Sequence, residues 1–277
     1  MQLLGQARVR LKLWYSAMGL WRKSHGLLLS SRLWDAVPKV YKVCREDKKL
    51  NILYEDKDVL VVEKPQGVPS QEDKTGDKDM LSLVKEHIGK NNKNVTLLHR
   101  LDRPVGGIML FPKSEIATKK LNEDIKLKNI SKVYLAIVCG ASKSKEELKD
   151  YVLKNGRLNT SKIVQKGTPN AKEAILFYET LDTVDTEKYG QLSLVKIQLT
   201  TGRHHQIRVQ FSSRDLAVWG DTKYKSSIKY ESGFKNIALW SYKLGFKHPV
   251  TNEYMEFKFP PQNIYPFNIE NFKLYYS

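Results

Sequence analysis

From residue 51 onward, short apolar runs rich in β-branched side chains are each cut off after a few residues by a polar or Gly/Pro turn. Residues 51–54 (Asn-Ile-Leu-Tyr) and 59–62 (Val-Leu-Val-Val) flank a polar Glu-Asp-Lys-Asp stretch, which predicts a hairpin or a strand with a polar turn. Lys64, Pro65, Gln66 and Gly67 end it, because Pro and Gly together stop a ladder. Met80, Leu81, Val84 and Ile88 then recur at helical spacing, with Gly89 as C-cap, and Ser114 caps a second helix carrying Ala117, Leu121 and Ile125. Val133, Leu135 and Ile137 alternate with Lys132, Tyr134 and Ala136 as in a strand, and residues 192–199 make another, closed by Thr201 and Gly202. Strands and helices in no strict βαβ order predict an α+β fold with a mixed, largely antiparallel sheet and flanking helices. The hydrophobic fraction of 41% supplies a core. No apolar run approaches the ~18 residues of a membrane-spanning helix.

The charge asks for a partner. Lys and Arg number 47 against 30 Asp and Glu, a net charge of +17, which favours a polyanion, nucleic acid ahead of acidic lipid. It is unevenly spread: residues 1–50 hold eleven basic side chains and three acids, with Trp14, Trp21 and Trp34. This stretch reads as a basic N-terminal extension, poorly ordered and without a recognisable RNA-binding module. Its acid-poor composition keeps organelle targeting by residues 1–45 as the alternative to a cytoplasmic location. Residues 51–262 read as one compact folded domain and 263–277 as a C-terminal tail. Cys44 and Cys139, far apart and without CxxC spacing, make neither a disulfide framework nor a cysteine zinc site.

Three short motifs carry chemistry. In the first, His99-Arg100-Leu101-Asp102-Arg103 leads through Gly106-Gly107 into an apolar strand. An aspartate between arginines serves as nucleophile, base or metal ligand, or belongs to a structural ion pair. The glycine pair lets the backbone turn tightly. In the second, Tyr134 shares a strand face with Lys132, Ala136 and Val138, and its ring is either a stacking platform for a base or core packing. In the third, a strand ends at Gly202 and a helix is expected to begin at once, presenting Arg203, His204, His205 and Arg208 where backbone N–H groups favour anions. Adjacent histidines diverge by about 100° on a helix, an awkward geometry for sharing a metal.

Taken in this order, the motifs resemble the RluA family of RNA pseudouridine synthases, with a pattern of roughly His-Arg-Leu-Asp, Lys-x-Tyr-x-Ala-x-Val-x-Gly and Thr-Gly-Arg-x-His-Gln-Ile-Arg. The likeness extends from the strand and Lys-Pro-x-Gly turn at 59–67 to a Gly-Asp-x-x-Tyr segment at 217–224 and a Leu-x-Phe-x-His-Pro stretch at 239–251, covering about 51–261. It implies a cofactor-free and metal-free isomerase that cuts the uridine glycosidic bond, rotates the base and rejoins it through carbon 5. By resemblance, Asp102 is the catalytic aspartate. Tyr134 stacks on the uracil and assists proton removal from carbon 5, and Arg208 pairs with the aspartate. Arg100 enters the space vacated by the base, while Arg103, Lys132 and Arg203 contact phosphates or position loops. Whether the carboxylate attacks the ribose, adds to the ring or starts an elimination stays open. Val105-Gly106 stands where many members have Thr-Ser, and Gln210 where many have His, so altered loop detail is expected.

The expected partner is structured rRNA or tRNA, met by a monomer without membrane or metal. Two other readings compete: an RNA-binding or ribosome-assembly factor whose catalysis is dispensable, and a metal-dependent nuclease or hydrolase using His99, Asp102, His204 and His205.

Overall fold

The structure, a computed structural model, describes residues 50–89, 94–224 and 237–276. The basic extension, with its tryptophans and any targeting role, lies outside the described residues.

The expected hairpin forms from β1 (Asn51–Glu55) and β2 (Val59–Lys64), which pair antiparallel. Helix α1 (Met80–Ile88) starts where the Asp79 carboxylate accepts the Ser82 N–H at 3.1 Å and ends on Gly89 at φ 99°. After β3 (Gly106–Pro112), Ser114 caps α2 (Glu115–Lys126) by accepting the Ala117 N–H at 3.2 Å, as its spacing predicts. Then follow β4 (Ser131–Cys139), β5 (Lys145–Asn155), β6 (Thr160–Val164), β7 (Lys172–Thr186) and β8 (Gly190–Leu199). Helix α3 (Gln206–Ser212), β9 (Leu239–Lys247), β10 (Tyr254–Lys258) and α4 (Glu270–Lys273) complete the described elements. The strands make one sheet in the order β1-β2-β3-β9-β4-β8-β7-β5-β6, with β10 also on β9. Its pairs are antiparallel except β3 with β9, so the sheet is mixed and largely antiparallel.

Strand β4 lies at the centre, and its alternation sorts two cores. Tyr134, Ala136 and Val138 pack with Ile197, Ile207 and Phe211 on one face; Leu135 and Ile137 pack with Trp219, Trp240 and Phe272 on the other. Both faces are covered, so the strand is apolar almost throughout. Residues after 262, set apart by sequence as a tail, contribute Phe267, Phe272 and Tyr276 to this second core.

Two local expectations are corrected. Gly106 and Gly107 do not make a tight turn; they open β3 and pair parallel with Trp240 and Ser241. A Cβ on Gly106 would overlap the Trp240 indole, and Gly107, at φ 116°, lies against the Ser241 backbone. Close approach of two strands is what selects glycine there. The second correction concerns the helix after Gly202, which begins at Gln206. Its start is delayed because the Gln206 carboxamide oxygen accepts from the Arg203 N–H at 2.9 Å and the Thr201 hydroxyl at 2.8 Å, closing a turn first. His205 then occupies the left-handed region at φ 52°, ψ 28°. Among the described residues no helix is long and apolar enough to cross a membrane.

Candidate active site

The loop carrying Asp102 is clamped by the turn that follows β2. Buried Lys64 donates from Nζ to the carbonyls of Pro65 and Arg103, and the Gly67 N–H donates to the Arg103 carbonyl at 2.8 Å. The buried Ser70 hydroxyl donates to the Leu101 carbonyl at 2.7 Å and accepts the Leu101 N–H at 3.0 Å. Gln66 donates to the carbonyls of Pro104 and Ile237. Within the loop the Val105 N–H closes a turn onto the Asp102 carbonyl at 2.9 Å. His99 contributes too: its Nε2 accepts the Leu110 N–H at 3.1 Å, and burial, helped by the Lys132 charge, pushes its pKa down to about 3. It is a neutral structural acceptor, so the four residues of the metal reading do not converge as ligands.

The Asp102 side chain, 28% exposed, receives Arg208 Nη1 on Oδ2 at 2.9 Å. Arg208 projects from the first turn of α3, and its guanidinium is itself held in a fork by the buried Asp221: Nε to Oδ2 at 2.6 Å and Nη2 to Oδ1 at 2.8 Å. Its face lies 5.2 Å from the centre of the Tyr224 ring. Burial alone would lower the Arg208 pKa, but the Asp221 and Asp102 carboxylates outweigh it and the pKa rises. Two carboxylates thus share one guanidinium. Asp221, sealed from solvent, takes up its charge, so the partly exposed Asp102 is both oriented and left as the net negative centre.

Tyr134 is buried, its hydroxyl is hydrogen-bonded to Ser241, and its pKa is pushed up to about 12 by burial and by the Asp102 charge. The contact follows from the sheet, since Tyr134 and Ser241 are register partners and Ser241 also pairs with Gly107. His205, buried behind Asp102, has Nε2 3.4 Å from Asp102 Oδ2 and Nδ1 2.8 Å from the Tyr224 hydroxyl. His204 stacks on His205 with ring centres 3.8 Å apart, contrary to the divergence a helix would impose. It reaches the Ser161 hydroxyl and Asn159 at the β5–β6 hairpin. Among the described residues no group of three or more metal-ligating side chains comes together.

The remaining sequence candidates take different places. Arg100 is exposed near His204, whose pKa it helps to lower after burial and along with Lys154 and Lys223. Arg103 is engaged by Asp73 and Asp77 and donates to the Gly67 carbonyl at 3.1 Å, a loop-positioning arrangement. Lys132 is half-buried, its pKa lowered by burial. Arg203 is exposed and donates to the Glu173 carbonyl at 2.8 Å. Gln210 points away from Asp102, donating to Asp150 at 2.7 Å. Asp221, Tyr224, Ser161 and Ser241 were given no role from the sequence, although Asp221 and Tyr224 stand in the Gly-Asp-x-x-Tyr segment already noted. Lys154 and Lys223 were likewise missed; Lys154 belongs to residues 151–172, which hold five basic side chains and no acid.

Comparison with known proteins gives the family and the fold. The RNA pseudouridylate synthase family matches residues 58–213. The tRNA pseudouridine synthase C of Haemophilus ducreyi is 32% identical over 216 residues, covering 73% of this chain and 87% of the relative. The ribosomal large subunit pseudouridine synthase D of Vibrio cholerae is 28% identical over 229 residues, covering 78% and 68%. The solved structure of human RNA pseudouridylate synthase domain containing 1 superposes with a TM-score of 0.64 at 23% identity, covering 78% of this chain and 84% of that one, a likeness of fold. The buried strand tyrosine, the loop aspartate and the helix arginine thus stand inside a matched segment that spans more than half of the chain, and the chain belongs to the RNA pseudouridylate synthase family, in its RluA branch.

Proposed function

We propose that this protein isomerises uridine to pseudouridine in structured rRNA or tRNA, with Asp102 as the catalytic carboxylate acting on a flipped-out nucleotide. The observation that carries the reading is the Asp102–Arg208–Asp221 arrangement, in which one carboxylate is held by a doubly anchored arginine and kept at the surface. Every pathway open to the family begins with an oriented, ionised carboxylate beside the ribose and base. Tyr134, near enough for the Asp102 charge to raise its pKa, supplies the aromatic ring. Its phenol, raised to about 12 by burial, is un-ionised at neutral pH, and its ring is offered to stack on the uracil and to assist removal of the carbon 5 proton.

Extruding a base costs roughly a few kcal/mol, and phosphate contacts offset it. Arg100, Lys154 and Lys223, gathered near His204 at the open side of the site, are the cations suited to the flanking backbone. Arg103, engaged by Asp73 and Asp77, acts instead on loop geometry, and Lys132 is half-buried beside His99. The test is incubation of the purified protein with total RNA from cells lacking its gene, followed by a pseudouridine map. Gain of one or a few sites is expected; no gained site, with an active control enzyme, would contradict the proposal.

A further inference from the structure

The site holds a polar chain that the proposed reaction has not used. The Ser161 N–H, which can only donate, points at the Tyr224 hydroxyl oxygen at 2.6 Å. That hydroxyl has one hydrogen, and the His205 Nδ1 lies 2.8 Å away. Donation to Nδ1 satisfies all three groups and fixes the imidazole as the Nε2–H tautomer. Nε2 faces Asp102 Oδ2, the same oxygen that Arg208 Nη1 engages. Among the described residues no ion pair or hydrogen bond of the Asp102 side chain falls on Oδ1.

We propose that His205 is a positioning residue for Asp102: a neutral imidazole, locked as the Nε2–H tautomer by Tyr224 and Ser161, that joins Arg208 on Oδ2 and leaves Oδ1 as the oxygen that meets the nucleotide. Three features of the structure support this. The left-handed backbone of His205 is what turns its ring back toward Asp102, where a helical start at Arg203 would have sent it elsewhere. Stacking on His204 and the edge of Tyr224 fix the ring plane. Burial, with Arg208, His204 and Lys223 nearby, holds its pKa down at about 3 against the pull of Asp102, so the ring stays neutral and brings a directed N–H without cancelling the carboxylate charge. At 3.4 Å the approach of Nε2 to Oδ2 is longer than an ordinary N–H···O hydrogen bond, so in this structure the ring faces the carboxylate while Arg208 Nη1 makes the short contact.

This inference deepens the proposed activity and rests on it, so its test has an arm that does not need turnover. Nitrogen-15 histidine NMR of the full chain should show His205 as the neutral Nε2–H tautomer from pH 5 to 8, with its Nε2 resonance displaced in Asp102→Asn. A protonated Nδ1 or an imidazole titrating near 6.5 would overturn the assignment. In the kinetic arm His205→Asn, which tolerates the left-handed backbone but is too short to reach, should lower kcat about tenfold or more with KM for RNA unchanged. His205→Gln, whose carboxamide N–H reaches further, should recover part of that loss. An unchanged kcat in His205→Asn, or a loss matched by the same rise in KM, would also overturn it. If wild-type protein forms no pseudouridine, the proposed activity fails while the NMR arm still decides the tautomer.

Discussion

Arg208 shows how one side chain ties stability to chemistry. Its guanidinium is buried with Asp221, and a buried pair broken on one side leaves an uncompensated charge. Arg208→Met should therefore lower stability by about 3–5 kcal/mol and abolish turnover, read by denaturant unfolding and a pseudouridine assay. Full turnover would show that another group orients Asp102. The buried histidines set an acid limit. The His99 pKa lies at about 3 in the folded protein, below the ordinary 6.5, so between these values the unfolded chain takes up a proton that the folded one refuses. Stability is then complete above about pH 6.5 and falls as the pH drops toward 3, by up to about 1.4 kcal/mol per unit for each such histidine. Melting curves from pH 7 to 4 should show this, and His99→Gln, which still accepts the Leu110 N–H, should flatten the slope. At this scale the sequence was legible where neighbours in the chain are neighbours in space: Asp102, Tyr134 and Arg208 sit in compact motifs. Asp221, though it stands in the Gly-Asp-x-x-Tyr segment, and Ser161 are joined to their partners by folding alone, and nothing local says what they contact.

At the scale of elements, the catalytic loop is a fixed bridge between the β2 turn and β9. Lys64, Gln66 and Ser70 hold its backbone from one side, and the two-residue parallel pairing of Gly106-Gly107 with Trp240-Ser241 holds it from the other. Gly106→Ala places a methyl into the Trp240 ring and should cost about 1–3 kcal/mol, with a lowered Tm and reduced turnover. Retention of wild-type Tm would mean that β3 and β9 separate easily. The strands β2, β4 and β8 were readable because buried faces demand apolar residues at every second position or throughout. The half-exposed β5, β6 and β7 carry many charged residues in a weak alternation, and no strand was expected there. The left-handed His205 was hidden for a different reason: its conformation answers to the turn closed by Gln206 and to ring packing, which leave no periodic trace.

Over the whole molecule, the surplus of +17 divides between the N-terminal stretch and a body whose open side carries Arg100, Lys154 and Lys223. Replacing these three with Gln should reduce the slope of log affinity for RNA against log salt by about 2–3, each lost phosphate contact removing roughly one released ion. An unchanged slope, measured by fluorescence anisotropy, would move the RNA path to another face. Composition pointed to a polyanion without saying which face meets it; the face proposed here is the one where the β5–β6 hairpin folds against His204 and Lys223. The central claim is that the carboxylate of Asp102 carries the reaction while the surrounding cations bind the RNA. Asp102→Asn, nearly identical in shape, separates the two, and the direct measurement is pseudouridine formed per enzyme in RNA from gene-deleted cells, with RNA affinity determined in the same samples. The account predicts no product at wild-type affinity; product at a rate within tenfold of wild type would contradict it.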